Sequence, residues 1–412
     1  MLLVEQHVIR CGDPRWNALD QAAFASKNLY NAANYLLRQA FFKTGKRPGY
    51  ATLAKQMKAS PDYCALPRKV SQQVLKQLDH DWQAFFAAQK AYQLSPAAFR
   101  GRPRLPKYKH KTAGRNLLTY TIQAISTPAL RRGDVRLSGL PIAIQTRQPR
   151  VRQVRIVPHT THYAVEVVYD QEPSVAPNLN PAWYAGVDLG LDNLAAVTSN
   201  QPGFVPFLVN GRPLKATNQF YNQRRAELQA RLPVGGSSKR LDRLTDRRNR
   251  RIQAELHLAS RRIIDHLARA GIGTLVIGKN PEWKQDIRLG RRTNQNFVSI
   301  PHARFVDLLT YKAELVGIRV VVREEAYTSK CSFLDLEPIE KHDVYAGRRV
   351  HRGLFVSAAG RRIQADVNGS YNILRKEAPC AFDAAGVEGA VVRPVRLALT
   401  NTKTRKSGQR HQ

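Results

Sequence analysis

Residues 185–199, AGVDLGLDNLAAVTS, set Asp188 between apolar residues, with a second acid, Asp192, four positions on. The run reads as a buried strand followed by a hairpin-like segment. A buried carboxylate needs a partner, and a divalent cation is the usual one. Outward from it, a long charged helical stretch covers roughly 215–270, then comes a strand at 271–278 (GIGTLVIG). A helix at 302–317 (HARFVDLLTYKAELVG) and a strand at 318–325 (IRVVVREE) follow. Last comes a helix opening in 364–376 (QADVNGSYNILRK), with another acid, Asp366, near its start. Asp366 also suits a helix N-terminus, where anions are favoured.

This order of elements is that of an α/β RNase H-like domain, whose sites lie at the carboxyl ends of strands. Two-metal phosphodiester hydrolysis needs carboxylates from separate elements that hold ions about 3.5–4 Å apart. Asp188 and Asp366 satisfy the first half of that requirement.

Residues 1–10 read as a strand. A helix from Asp20, its expected N-cap, to about Phe42 and another from about Arg68 to Tyr92 form a helical lobe. Residues 99–111, FRGRPRLPKYKHK, are held extended by proline and are dense in Lys and Arg. Arg100, Arg102, Arg104, Lys107 and Lys109 suit phosphates, and Phe99 or Tyr108 suits a base. The strand signals LLTYTIQAI, VRLSGLPIAI, VRQVRIV and HYAVEVVYD, with the N-terminal strand, suggest a small β-barrel, closed off by a proline-rich linker at 171–183.

The chain carries 66 Lys and Arg against 31 Asp and Glu, a formal charge of +35 over 412 residues. Such a surface calls for a polyanion, and nucleic acid is the usual one. No apolar run approaches membrane-spanning length, so no membrane partner is expected. Cys11, Cys64, Cys331 and Cys380 form no CxxC pair, which argues for reduced thiols in a cytoplasmic protein. Residues 239–251, KRLDRLTDRRNRR, set seven basic residues against two acids. Asp242 and Asp246 neutralise part of this by i,i+4 pairing. The excess at Lys239, Arg240, Arg243, Arg247 and Arg250 suits a phosphate-facing helix.

AGVDLGLDNLAAVTS resembles the first RuvC motif of the TnpB/OrfB family of insertion-sequence proteins, relatives of the type V CRISPR effectors. ADVNGSYNILRK (365–376) resembles the third, and FRGRPRLPKYK, TSKCSFLD and RGLF fall where the family has such segments. The resemblance implies a wedge-like β-barrel (1–10 and 99–172) carrying a helical recognition lobe (11–98). A RuvC nuclease follows (180–327 and 363–380), interrupted by a degenerate zinc-finger-like insert (328–362), with a disordered basic tail at 381–412. It implies that Asp188 and Asp366 are catalytic acids binding two Mg²⁺ ions, with a transposon-end guide RNA and double-stranded target DNA as partners. A prokaryotic, nucleoid-associated location would follow.

The chain departs from the family twice. The second-motif glutamate is expected at the end of strand 271–278, where Gly278 stands. The adjacent strand ends in Glu324 and Glu325, and neighbouring strands lie about 4.8 Å apart. Glu325 takes a position where relatives commonly carry proline, so it is the expected replacement, with Glu324 in reserve. Side-chain alternation lets only one of them face the metals. Glu282 and Asp286 are weaker candidates. The insert also lacks paired cysteines: Ser332 stands where the first zinc ligand is expected, and His342 and His351 do not complete a four-ligand site, so no structural zinc is expected. Asn368 and Asn372 share a helix face near Asp366 and suit either water positioning or core hydrogen bonds. Trp283, Lys284 and residues 290–297 suit a nucleic-acid loop, and Asp192 suits a turn. The expected activity is Mg²⁺-dependent, RNA-guided DNA cleavage. The alternatives are a nuclease-dead RNA-guided DNA binder, which Gly278 would explain, and a DNA transposase.

Overall fold

A computed structural model describes residues 1–279 and 300–398. The chain divides into two compact units, Met1–Gln171 and one that begins at Glu172.

The first unit runs β1 (Leu2–Arg10), α1 (Trp16–Thr44), α2 (Tyr50–Met57), α3 (Pro61–Cys64), α4 (Arg68–Leu94), β2 (Leu118–Thr121), α5 (Thr127–Leu130), β3 (Asp134–Arg136), β4 (Ala143–Gln145), β5 (Val151–Pro158) and β6 (His162–Asp170). Helices α1 and α4 pack around Trp82, which is fully buried and donates its indole N–H to Asn34 at 3.0 Å. Two expectations are corrected. Helix α1 begins at Trp16 with Arg15 as N-cap, and Asp20 lies inside it. The Asp20 carboxylate accepts from Arg115 at 2.7 Å and from the Tyr163 hydroxyl at 2.7 Å, so tertiary pairing takes the role expected of capping. The strands do not close a barrel among the described residues. Their order is β1-β6-β5-β2, with β3 and β4 as a separate pair, so β1 and β2 remain edges of an open sheet.

The second unit opens with β7 (Asn180–Leu189), β8 (Asn193–Ser199) and β9 (Phe207–Asn210), a meander of antiparallel strands. Helices α6 (Arg212–Gln229) and α7 (Lys239–Arg269) lead to β10 (Ile272–Gly278), which pairs parallel with β7. After α8 (His302–Leu315), β11 (Arg319–Arg323) adds in parallel to β10. A three-stranded insert, β12 (Arg348–His351), β13 (Leu354–Val356) and β14 (Arg362–Ile363), precedes α9 (Ala365–Glu377), α10 (Ala384–Glu388) and β15 (Val395–Arg396). The sheet order is β11-β10-β7-β8-β9-β15.

Period-two alternation sorts β7 between the two faces of this sheet. Ala185, Val187 and Leu189 join the core formed with α7 and α8, which leaves Gly186 and Asp188 to the α9 side. Helix α9 lies tight on β7: Ser370 donates its hydroxyl to the Gly186 carbonyl at 2.8 Å, and a β-carbon at 186 would stand 2.4 Å from the Ser370 carbonyl. Only glycine allows this approach, which brings the elements bearing Asp188 and Asp366 together.

The tail expectation is corrected for residues 381–398; 399–412 lie outside the described residues. Phe382 and Val387 are buried with Phe333 and Tyr371, and β15 pairs parallel with β9, Val395 opposite Phe207 and Arg396 opposite Leu208. The apolar residues scattered through this basic stretch supply the anchors.

In the insert, the buried Glu337 carboxylate accepts the Ser332 N–H at 2.6 Å and the Ala346 N–H at 2.8 Å. Asn368 and Asn372, both buried, bond the Cys331 carbonyl at 2.9 and 2.8 Å, and Asn372 also bonds the Thr328 carbonyl. Phe333 stacks on Tyr371 with centroids 4.2 Å apart. The two asparagines therefore staple the insert to α9.

Replacing Gly186 with alanine should lower the unfolding free energy by about 1–3 kcal/mol through overpacking against α9. Urea denaturation checks this, with Gly49→Ala, at a position open to space, expected to stay near wild type.

Candidate active site

Asp188 ends its strand over a glycine. A β-carbon on Gly369, in the first turns of α9, would lie 2.8 Å from Asp188 Oδ2, so this glycine leaves room for the carboxylate. Its carboxyl is raised well above the usual carboxylate range. Burial is the main cause, the negative charges of Glu325 and Asp366 add to it, and Arg349 opposes them.

Glu325 reaches the same place from β11. Gly278 pairs with Arg323 across the parallel strands, and beyond Arg323 the chain turns. Thr328 fixes that turn, giving its N–H and its hydroxyl to the Glu325 carbonyl at 3.2 and 2.8 Å. Lys376 of α9 holds the other side, donating to the Ala326 carbonyl at 2.9 Å. The Glu325 side chain folds back so that its Oε2 lies 3.0 Å from where a β-carbon on Gly278 would stand; Ile373 Cδ1 would be 2.4 Å from the same point. Glutamate oxygen thus fills the space beside Gly278. Burial pushes the Glu325 carboxyl up to about 7, against the pull of Lys376. Glu324 is exposed, as alternation requires of one member of the pair.

Asp366 sits in the first turn of α9, behind Gln364, whose side chain caps the helix through the Val367 N–H. Its carboxylate accepts from Asn193 at 2.7 Å and from Arg349 at 3.2 Å. Asp192 is more than a turn residue. It pairs with Arg352 at 2.9 Å and Lys215 at 3.0 Å, and although burial alone would raise its carboxyl, Lys215, Arg352 and Arg212 hold it low.

Among the described residues, no three His, Cys, Asp or Glu side chains stand close enough together to enclose a metal ion as they are arranged. Asp188 is near enough to feel the charges of both Glu325 and Asp366, yet Asp366 is drawn onto Asn193 and Arg349. The donor set itself, three carboxylates of which Asp188 is raised by burial and repulsion and Glu325 by burial, fits a hard divalent cation. A cation would relieve both effects.

The basic residues divide between the units. Arg100, Arg102, Arg104 and Lys107 are exposed on a segment pinned to α1, where Asn34 and Arg38 bond the Pro106 carbonyl and Asn31 bonds Lys109. Arg38 covers one face of the exposed Tyr108 at 4.6 Å, and Lys109 lies 5.1 Å over Tyr30. Phe99 packs edge-on against Tyr92. On α7, Lys239, Arg240, Arg243, Arg247 and Arg250 are exposed, and Arg250 pairs with Asp246 at 3.0 Å. Glu282, Trp283, Lys284, Asp286 and residues 290–297 lie outside the described residues. Sequence reading missed Arg349, Arg352, Arg212 and Asn193, since isolated polar residues carry no spacing signal; the glycine in VNGS (367–370) was the one available hint of close packing.

Comparison with known proteins adds five similarities. The OrfB_IS605 family model, described as a probable transposase, matches residues 162–284, and a Cas12f1-like TNB domain model matches 302–373. The TnpB-like protein ORF457 of Acidianus two-tailed virus is 24% identical over 408 residues, covering 87% of this chain and 83% of that protein. A Cas12f1–sgRNA–target DNA complex aligns with a TM-score of 0.37 at 12% identity, over 90% of this chain and 98% of that one. A CRISPR-Cas12f ternary complex aligns with a TM-score of 0.35 at 13% identity, over 86% of this chain and 80% of that one.

The Glu325 shift carries a sign. Below pH 4.5 the group is protonated folded and unfolded alike; between 4.5 and about 7 the unfolded chain ionises first, so the folded state loses stability as pH rises. In chelator-treated buffer, the wild-type unfolding midpoint should fall across that window more than that of Glu325→Gln. Superimposable pH profiles would refute the placement of Glu325.

Proposed function

We propose, from the premise that this chain belongs to the TnpB/OrfB family, which is related to the type V effectors, that it is a transposon-associated, RNA-guided DNA endonuclease of the RuvC type. The observation that carries this reading is the Glu325 carboxylate filling the space beside Gly278, close enough to Asp188 to raise its proton affinity. On this reading the acid expected at Gly278 comes from the turn that follows the neighbouring strand, β11.

Asp188, Glu325 and Asp366 would hold Mg²⁺. When bound, two such ions activate water and stabilise the leaving oxygen of a phosphodiester. The chain's own part is to set three carboxylates on β7, after β11 and on α9, and to keep them partly desolvated. Asp188 and Glu325 take up protons readily without a cation, so cation binding competes with protonation. Asn193 and Arg349 hold the Asp366 carboxylate between them, and Arg349 also lowers the proton affinity of Asp188. The exposed basic residues at 100–109 and 239–250 suit a guide RNA and its heteroduplex, where base pairing reads sequence and the protein reads backbone.

A second reading, an RNA-guided binder without cleavage, draws on the absence of a closed metal-holding cluster among the described residues. Co-expression with the RNA of its own locus, followed by cleavage of matched plasmid in Mg²⁺, separates the two. Wild type is expected to cut, and Asp188→Asn, Asp366→Asn and Glu325→Gln should each lose at least about a hundredfold in rate while binding target normally. Tight target binding with no wild-type cutting would favour the binder.

A further inference from the structure

A cavity of about 670 Å³ opens beside Asp366, and four arginines line it: Arg212 at the start of α6, Arg349 on β12, Arg352 in the turn that follows, and Arg396 on β15. Two are engaged, Arg349 with Asp366 at 3.2 Å and Arg352 with Asp192 at 2.9 Å. The side chains of Arg212 and Arg396 make no hydrogen bond or ion pair among the described residues. Four guanidiniums against two carboxylates leave the cleft cationic.

The position of Arg396 is enforced. Val395 and Leu397 donate their N–H groups to the Pro206 and Leu208 carbonyls at 2.9 and 3.0 Å, which fixes β15 along β9, and Leu208 itself lines the cleft. An unpaired guanidinium held there in a chain of +35 gains nothing for the fold. It gains from an anion, and guanidinium forks match phosphate oxygens two at a time.

We propose that this cleft binds the phosphodiester backbone of the DNA strand entering the carboxylate site, with Arg396 and Arg212 as its two free anchors. The C-terminal strand is then part of the substrate path as well as the edge of the sheet. This rests on the nuclease reading for which strand enters, but its test does not depend on cutting.

The guide-loaded Asp188→Asn protein is bound to a matched target duplex bearing 4-thiothymidine near the expected cut positions, then irradiated. Crosslinks should fall on the peptides spanning 349–353 and 391–398. In Arg396→Glu, compared at saturating target, their yield should drop about tenfold, the scale of one lost charge-assisted hydrogen bond. Arg396→Lys should keep most of the yield, and an unchanged melting midpoint excludes unfolding. Crosslinks elsewhere, or a yield indifferent to Arg396→Glu, overturn the proposal. Cleft crosslinks in a complex whose wild type never cuts would uphold it and remove the nuclease reading.

Discussion

The second unit depends on one close contact, the seating of α9 on β7. At Gly186 the helix backbone comes within a distance no side chain tolerates, and Ser370 closes the contact with a hydrogen bond. Next to Ser370 in the helix, Gly369 leaves space for the Asp188 carboxylate. Two glycines, one on each element, therefore decide where two acids stand. The stapling of the insert by Asn368 and Asn372 follows from the same helix, because its buried polar face has nowhere else to satisfy its hydrogen bonds.

That packing sets up an electrostatic conflict. Three carboxylates approach one another at a partly desolvated place; burial raises the proton affinity of Asp188 and Glu325, and at Asp188 the charges of Glu325 and Asp366 add to it. Repulsion of this kind costs stability, and a fold tolerates it where a cation offsets it. The arginine-lined cleft at Asp366 extends the same logic outward, with fixed cations where a polyanion would pass.

Much of this was legible in the sequence because it rests on periodicity. The strand–hairpin–helix order, Asp188 flanked by apolar residues and Asp366 at a helix start all read directly. The nearness of Glu325 to Gly278 was legible because strand spacing limits what can stand beside a missing side chain. What was not legible rests on packing between segments distant in sequence. Asp20 looked like a helix cap until Arg115 and Tyr163, remote in the chain, claimed its oxygens. Closure of the N-terminal strands failed because sequence alternation does not specify which edges pair. The order of residues 381–398 escaped notice because its anchors, Phe382 and Val387, are few among polar neighbours. Arg396 looked like one more charge in a basic tail, and only the pairing of β15 with β9 brings it to the cleft.

The central claim is that Glu325, just past the end of the next strand, supplies the carboxylate missing at Gly278. Exchanging the two positions tests it most directly, by comparing guide-directed cleavage rates of Glu325→Gly alone and of Glu325→Gly combined with Gly278→Glu. The account predicts that the single variant loses cleavage and the exchanged pair regains a substantial part of it, with Ile373 shifting to admit the new side chain. Cleavage by Glu325→Gly at the wild-type rate would contradict it.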